Sequence, residues 1–373
     1  MEILGNSFKP VIVMMKLSGV LPIEKWPRLQ QVLFMITFGL MLSFNKDCIV
    51  GNLNQGEMRS VLITFSVTGT VLLSTFRYLV VRIRIGKILK LFKDLDAISF
   101  DKEQEVEHNF LQIVKKVKFL VKVSTVLFGS GMGSFVLHAV LIGRRILPLD
   151  VFFQVDYSKD FGRWIFLYIW QTLDFYAMWL ASSISEIIPA TILIILCGHL
   201  RSLGYQLTNL PTCPVGAFNN ALKLWFIEYQ KIKRACSDFE DIFSSQYFFE
   251  ALLLCTNICG AILALILVTD WATCFFYFTM VTVLSFELFC PSLLGNLIQT
   301  RTEDLQFRLY SANWEEIKGT ESMKAFLIFN EALKRPLSIR FGKIYVVNLD
   351  AFKTILKSAY SLLTIAYHFI SNE

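Results

Sequence analysis

The chain has 373 residues, of which 54% are hydrophobic and only 18% are charged, and its mean hydropathy is +0.53. This composition excludes the ordinary soluble globular class and is typical of a membrane protein. The net charge of +6 would suggest a nucleic-acid partner in a soluble protein. In a membrane protein the distribution of positive residues is more informative than their sum, so we expect no nucleic-acid partner.

Seven apolar stretches predict seven membrane-spanning helices, at 30–44, 61–81, 117–143, 164–200, 247–268, 275–298 and 349–370. The fourth stretch has 37 residues. As a helix it would be about 55 Å long, so it would project well beyond a hydrocarbon core of about 30 Å. We expect a kink in this helix at Pro189. The sequence therefore predicts an all-α membrane protein, with residues 1–373 forming a single domain.

Lys and Arg residues are distributed unequally between the alternate loops. Of the 36, 26 lie in the segments 1–29, 82–118, 201–246 and 299–348, whereas the other loops together hold six. Because cytoplasmic loops are enriched in positive residues, the N-terminus is predicted to be cytoplasmic and the C-terminus extracellular. Residues 1–29 would be a cytoplasmic N-terminus, 30–298 would contain helices one to six, and 299–348 would form a cytoplasmic anchor region. This orientation is opposite to that of a G-protein-coupled receptor.

The last predicted helix, 349–370, carries an unusual number of polar side chains. On a helical wheel they fall along one line, which comprises Asp350, Thr354, Lys357, Ser361, Thr364 and His368. Two interpretations are about equally supported by the pattern. The polar line packs on neighbouring helices, where Ser and Thr bond to backbone groups, or it lines an aqueous path. One helix cannot enclose a pore, so the pattern alone does not decide.

Motifs of enzymes and metal sites are absent from the sequence. It has no His-Glu-x-x-His, no Gly-x-Ser-x-Gly and no phosphate-binding glycine loop. The four His are scattered and the eight Cys include no Cys-x-x-Cys pair, so we expect no enzyme activity, no metal site and no cofactor. Cys48 and Cys274 fall near the predicted outer surface. A disulfide between them is conceivable, although two thiols are the favoured interpretation.

Charged residues in the predicted spans are few, and they include Arg77, Lys122, Asp174, Glu186 and Glu287. Such groups are costly in a membrane and are usually paired or functional. We expect Arg77 and Lys122, near the cytoplasmic ends, to extend toward water. Asp174 and Glu287 are the better candidates for a functional role, with partners that the sequence does not identify.

Aromatic residues are concentrated in the predicted outer half of the helices. Part of this concentration fits an interfacial belt, but some side chains of the fourth helix lie too deep for one. They fit the wall of an apolar pocket between helices two, three, four and six. The predicted lining comprises Phe65, Gly69, Gly131, Phe135, His138, Phe175, Tyr176, Trp179, Tyr277 and Met280.

Two segments resemble the insect odorant receptor family. "CPSLLGNLIQTRTEDLQFRLYSANWEE", 290–316, is similar to the end of that family's sixth helix, and "LKRPLSIRFGKIYVVNLDAFKTILKSAYSLLTIAY", 333–367, is similar to its seventh-helix region. The resemblance implies an odorant-gated, non-selective cation channel in the plasma membrane of a sensory neuron dendrite. It also implies a tetramer in which an odorant-specific subunit assembles with a shared co-receptor. Because only about 46 residues separate helices four and five, without the co-receptor's long insertion, the chain resembles the odorant-specific subunit.

The same resemblance implies roles for residues of the last helix. The family's hydrophobic gate falls on Ile365, and His368 and Phe369 lie beyond it toward the outside. The rest of the pore-facing set comprises Lys357, Ser361 and Thr364. Lys357 departs from the family's usual uncharged pattern, since four such cations would repel permeant cations.

Two alternative functions are open at this point. An insect gustatory receptor would end its last helix with Thr-Tyr, five residues and Gln-Phe, whereas this chain has Ser361, Leu362, His368 and Phe369 there. A membrane transporter without a pore is the other alternative, although no inverted repeat is visible in the sequence. An aromatic pocket favours small, apolar volatiles, because shape and dispersion would dominate their binding.

Overall fold

A computed structural model of the protein describes residues 11–21, 27–53, 58–98, 160–208, 215–267, 271–311, 320–342 and 344–371, together with scattered positions between 115 and 147. Residues 11–17 are helical, as are the described positions between 115 and 140. The latter are called the 115–140 segment. The other helices are α1 (Pro27–Leu53), α2 (Met58–Ile83), α3 (Ile85–Asp96), α4 (Phe161–Thr208), α5 (Val215–Leu267), α6 (Trp271–Ser311), α7 (Thr320–Leu333) and α8 (Leu349–Ser371). A two-stranded antiparallel hairpin, β1 (Arg340–Phe341) and β2 (Tyr345–Val346), precedes α8.

Among these elements, four contain segments that are long and apolar enough to cross a membrane. These segments are Arg28–Val50, Phe161–Thr208, Asn220–Ile266 and Tyr277–Ser311. They correspond to the first, fourth, fifth and sixth predicted spans, but the helices that contain them are much longer than the apolar stretches. The 53 residues of α5 begin at Val215, whereas the predicted span begins at 247. Each helix continues beyond its apolar stretch as additional amphipathic turns. These turns are stable because their apolar faces pack on neighbouring helices.

The centre of the molecule is the middle of α4. Its side chains are buried on every face from Leu180 to Leu193, and it packs against α1, α2, α5 and α6. Apolar side chains occur on every side of this stretch, so it is stable only when neighbouring helices enclose it. The helix continues through Pro189 without interruption. Because proline lacks an N–H, the carbonyl of Ser185 loses its usual helical donor, and Gln246 Nε2 on α5 lies 3.5 Å from that oxygen as a substitute donor.

A second layer of packing lies at the end of α4 that contains Thr208. It joins α3, the first half of α5, the last turns of α6, and α7. Its core comprises Leu91, Leu203, Tyr229, Leu305, Leu309 and Phe329, all buried. This layer contains α7 and the last turns of α6, which belong to the predicted anchor region 299–348. Its cytoplasmic location stays a prediction.

The hairpin before α8 is held against α5 by its turn. Gly342 has a φ of +56°, a conformation that residues with a side chain rarely adopt. Its N–H donates to the Ser244 carbonyl at 3.1 Å, and a Cβ at this position would approach Phe248 Cδ2 to 2.7 Å. The Phe341 ring lies 5.1 Å from the ring of Tyr247. The glycine of the "FGK" sequence is therefore required by both backbone conformation and space.

Candidate functional site

The terminal helix α8 begins at a defined cap. The side-chain oxygen of Asn348 accepts a hydrogen bond from the N–H of Ala351 at 2.9 Å, the arrangement that satisfies the free donors of a helix N-terminus. The Phe352 ring packs edge-on against the Phe289 ring of α6, with centroids 5.5 Å apart. Further along, α8 packs on α5 and α6 through one face. Its base is thus fixed to two long helices.

The opposite face of α8 is exposed in the single chain. Ile365 is 57% exposed, and the side chains of Lys357, Ser361, Thr364 and His368 are exposed as well. Ala359 is buried and Leu363 is partly covered, on the packed side. The structure thus places the described members of the predicted pore-facing set on one uncovered surface. The side chain of Phe369 lies outside the described residues. Assignment of this surface to a pore remains a prediction.

The 115–140 segment runs antiparallel to the first half of α4. Tyr168 Oη donates to the carbonyl of Val136 at 2.8 Å, and Trp179 Nε1 donates to the carbonyl of Thr125 at 3.2 Å. The Trp179 indole also lies beside Gly129, where a Cβ would sit 3.4 Å from Nε1. The side chains of Tyr168 and Trp179 thus fix the register of the 115–140 segment against α4. The predicted pocket lies between these two elements.

The predicted pocket residues do not all face one space. Tyr176 is 53% exposed and its ring lies 5.5 Å from that of Trp179. Phe175 is buried and contacts the Phe44 ring of α1 at 5.3 Å. Tyr277 and Met280 are buried on α6. Of the other predicted lining residues, Gly131, Phe135, His138 and the side chain of Phe65 lie outside the described part of the structure.

Gly69 occupies a helix contact. A Cβ on this residue of α2 would collide with the side-chain oxygen of Asn257 on α5. Gly69 therefore allows α2 and α5 to approach each other closely. This helix contact explains the glycine without a role in lining a pocket. The pocket stays a prediction; of its predicted lining, Tyr176 and Trp179 lie close together where α4 meets the 115–140 segment.

Arg77 corrects one expectation from the sequence. It was predicted to extend toward water, but its side chain is 1% exposed and lies inside the helix bundle. Nη1 donates to Glu186 Oε1 of α4, Nη2 donates to Glu287 Oε2 of α6 at 2.7 Å, and Nε lies 3.6 Å from Glu250 Oε2 of α5. A buried arginine needs such carboxylate partners because an isolated charge would be too costly. The predicted functional candidate Glu287 thus has a partner.

Glu250 was not singled out from the sequence. It lies in the fourth position of the predicted fifth span, and a carboxylate in an apolar stretch was the available signal. Asp174, the other functional candidate, is buried beside α1, where Ser43 Oγ donates to its Oδ1 at 3.4 Å. Cys48 and Cys274 are both thiols, so the two do not form a disulfide.

Comparison with known proteins identifies the family. Residues 57–360 match the family described as 7tm Odorant receptor. The chain belongs to this family. It is a family of ligand-gated channels and not of enzymes, so the expectation of no enzyme activity is confirmed. The match also favours an odorant receptor over the gustatory alternative.

Curated relatives and solved structures agree with this assignment. The receptor is 19% identical over 343 residues to Odorant receptor 33b of Drosophila melanogaster, a match that covers 89% of each chain. It is 24% identical over 350 residues to Odorant receptor 59b of the same species, covering 89% of this receptor and 83% of that relative. The structure of the insect olfactory receptor OR5 from Machilis hrabei has a TM-score of 0.84 at 16% identity, covering 97% of this receptor and 98% of that chain.

The same Machilis hrabei receptor in complex with eugenol has a TM-score of 0.83 at 16% identity, with 97% of each chain covered. These likenesses show the fold, and the predicted all-α, seven-helix membrane architecture is confirmed. The odorant receptor is accordingly a multi-pass membrane protein.

Proposed function

We propose that this odorant receptor is the odorant-specific subunit of a ligand-gated, non-selective cation channel, and that α8 lines the central pore. The observation that carries the proposal is the uncovered polar face of α8. A helix in lipid would not expose the ammonium of Lys357 to hydrocarbon, because the charge would lose its hydration. The hydroxyls of Ser361 and Thr364 on the same face donate to the carbonyls of Lys357 and Tyr360 at 3.0 and 2.9 Å. Four chains around an axis provide the remaining walls that one helix lacks.

The charge on this face supports a heteromer. Lys357 in all four positions would place a ring of cations in a cation pathway and repel permeant ions. A single copy, with co-receptor subunits in the other positions, avoids that ring. The heterotetramer with the shared co-receptor is therefore the assembly that we propose, in the plasma membrane of a sensory neuron dendrite.

The ligand is proposed to be a small volatile that binds in the outer half of the bundle. The support is the aromatic wall formed by Tyr176 and Trp179 where α4 meets the 115–140 segment. Apolar pockets with few polar groups select ligands by shape and dispersion. The eugenol complex of the similar receptor agrees with a ligand of this size and class.

The proposal is tested by expression with and without an odorant receptor co-receptor, followed by recording of current against an odorant panel. We expect odorant-evoked current only when both chains are present, carried by Na⁺ and K⁺ alike. Cells with the co-receptor alone are the control. A correctly delivered chain that gives no odorant-dependent current with the co-receptor would contradict the proposal. Transport that requires a coupled ion gradient and gives no channel current would favour the pore-less transporter instead.

A further inference from the structure

The cluster around Arg77 contains more negative charge than positive charge. Three carboxylates, from Glu186, Glu250 and Glu287, surround one guanidinium. All four side chains are at most 10% exposed. When the three carboxylates are ionised, two negative charges remain uncompensated inside the helix bundle. The interior of a protein does not tolerate such an excess, so either a further cation or bound protons must neutralise it.

Glu250 supplies a second and independent observation. It is 0% exposed, and among the residues that the structure describes neither of its carboxylate oxygens has a hydrogen-bond partner. The side-chain oxygen of Gln246, one turn earlier on α5, is also buried without a partner in the described part of the chain. Buried oxygens of this kind are normally hydrogen-bonded, because burial removes their hydrogen bonds to water. Glu250 Oε2 lies 3.6 Å from Arg77 Nε, so Glu250 Oε1 is the carboxylate oxygen that Arg77 leaves without a polar contact in the described part of the chain.

The spacing of the carboxylates suits an ion. One oxygen from each of Glu186, Glu250 and Glu287 lies within 4.8 Å of the other two. Calcium binds oxygen at about 2.3–2.6 Å, so its ligands are separated by up to about 5 Å, whereas magnesium needs about 2.0–2.1 Å and a tighter set. The three oxygens come from three different helices, α4, α5 and α6.

We propose that Glu186, Glu250 and Glu287 form a calcium-binding site inside the helix bundle, with Arg77 holding two of the carboxylates in position. A divalent cation neutralises the two charges that Arg77 leaves uncompensated. It also gives the Glu250 carboxylate, whose contact with the described residues is the 3.6 Å approach of Arg77 Nε to Oε2, direct ligation in place of the hydrogen bonds that it lacks there. The site joins α4, α5 and α6, and it is independent of whether odorants open a pore.

The site is tested by calcium binding to the purified full-length receptor in detergent at fixed pH. After treatment with a chelator, addition of CaCl₂ is expected to raise the melting temperature in a saturable manner, because a ligand that binds only the folded state stabilises it. Bound ⁴⁵Ca²⁺ is expected at one ion per chain. MgCl₂ is expected to give a smaller shift at equal concentration.

Two variants and one control locate the site. Glu250→Gln is expected to abolish the calcium-dependent shift. Glu250→Asp keeps the charge and is expected to weaken calcium binding by about tenfold or more, since affinity follows ligand charge and geometry. Glu303→Gln, at an exposed position on α6, is expected to behave like the wild type.

The wild-type measurement alone can overturn the inference, whatever the variants do. Absence of bound ⁴⁵Ca²⁺ would show that the excess charge is neutralised in another way. If protons neutralise it, the melting temperature will change with pH and will not respond to CaCl₂. Calcium binding that is equal in Glu250→Asp, Glu303→Gln and the wild type would place the ion elsewhere and would equally overturn the proposal.

Discussion

Gly295 of α6 lies directly against the carbonyl oxygen of Val347, two residues before α8 begins. A Cβ on Gly295 would collide with that oxygen, and the obstructing atom belongs to the backbone. The Val347 N–H in turn donates to the Ile339 carbonyl at 2.7 Å, on the other arm of the hairpin. The glycine of "LLGNL" therefore determines how closely the start of α8 approaches α6.

Gly295→Ala is expected to destabilise the receptor by about 1–3 kcal/mol, because an added methyl group in a packed contact forces the backbone to move. The measurement is the melting temperature of the purified protein. Gly86→Ala on α3 is the matched control, since nothing lies within 4 Å of its Cβ position. That control is expected to be neutral or stabilising by up to about 1 kcal/mol. Equal melting temperatures for the two variants would show that the contact is unimportant.

Ile365 is predicted to belong to the hydrophobic gate of the pore. Ile365→Gln is expected to raise resting current or to alter ion selectivity modestly, because a polar side chain would hydrate an apolar constriction. The effect is expected to be modest because, in the proposed heterotetramer, co-receptor subunits supply the rest of the ring. Leu363→Gln, on the packed side of α8, is expected to reduce assembly instead. Recordings with unaltered conductance, leak and selectivity in Ile365→Gln would place that residue away from the pore.

Arg77 is expected to be essential for a stable fold. Arg77→Met leaves three buried carboxylates without their cation and should cost about 3–5 kcal/mol. The readouts are melting temperature and surface delivery, with Arg201→Met, at an exposed position of α4, as the control. Adding Glu186→Gln and Glu287→Gln to Arg77→Met should restore part of the stability, because removal of a whole buried ion cluster is often tolerated. A stable, fully delivered Arg77→Met protein would refute the cluster's structural role.

The pocket beside Trp179 is expected to be sensitive to side-chain size at Gly129. Gly129→Leu would displace the indole and shift the odorant concentration for half-maximal response by about tenfold, equivalent to about 1.4 kcal/mol. Gly133→Leu, one turn away with nothing within 4 Å of its Cβ position, is expected to leave the response unchanged. The comparison requires equal surface amounts of both variants. Identical dose–response curves would move the pocket to another part of the bundle.

The orientation in the membrane is predicted from the distribution of Lys and Arg. An epitope tag after Glu373 is expected to be reached by antibody on intact cells, whereas a tag before Met1 should require permeabilisation. The two tagged proteins serve as each other's control. Reversed labelling would invert the predicted direction of α8 and of the pore.

The positions of the described helices were largely predictable from apolar stretches, but their lengths were not. The stretch at 247–268 predicts the membrane part of α5, whereas the 32 residues from Val215 to Gln246 are helical because they pack on α3 and α7. Such tertiary support is invisible to a hydropathy pattern. Gly295 and Gly342 both lie in the two segments that resemble the family. The structure explains why glycine is needed there, because a Cβ would collide with Val347 at position 295 and with Phe248 at position 342.

The error at Arg77 has a different cause. Glu186 and Glu287 are 109 and 210 residues away in sequence, so no local period relates them to Arg77. From the sequence alone, the side chain of a positive residue near a predicted helix end is expected to extend toward water. Arg77 instead pairs with carboxylates on α4, α5 and α6, and these partners become visible only in the folded structure.

The fixed base of α8 gives the helix the mechanics of a lever. The contacts of Val347 with Gly295 and of Phe352 with Phe289 hold one end against α6, and Ile365 lies 16 residues from Leu349, about 24 Å along the axis. A tilt of about 5° about that base displaces Ile365 by about 2 Å, since 24 Å is the length of the arm. A small rotation of α8 about its base therefore moves Ile365 by a distance comparable to an ionic radius.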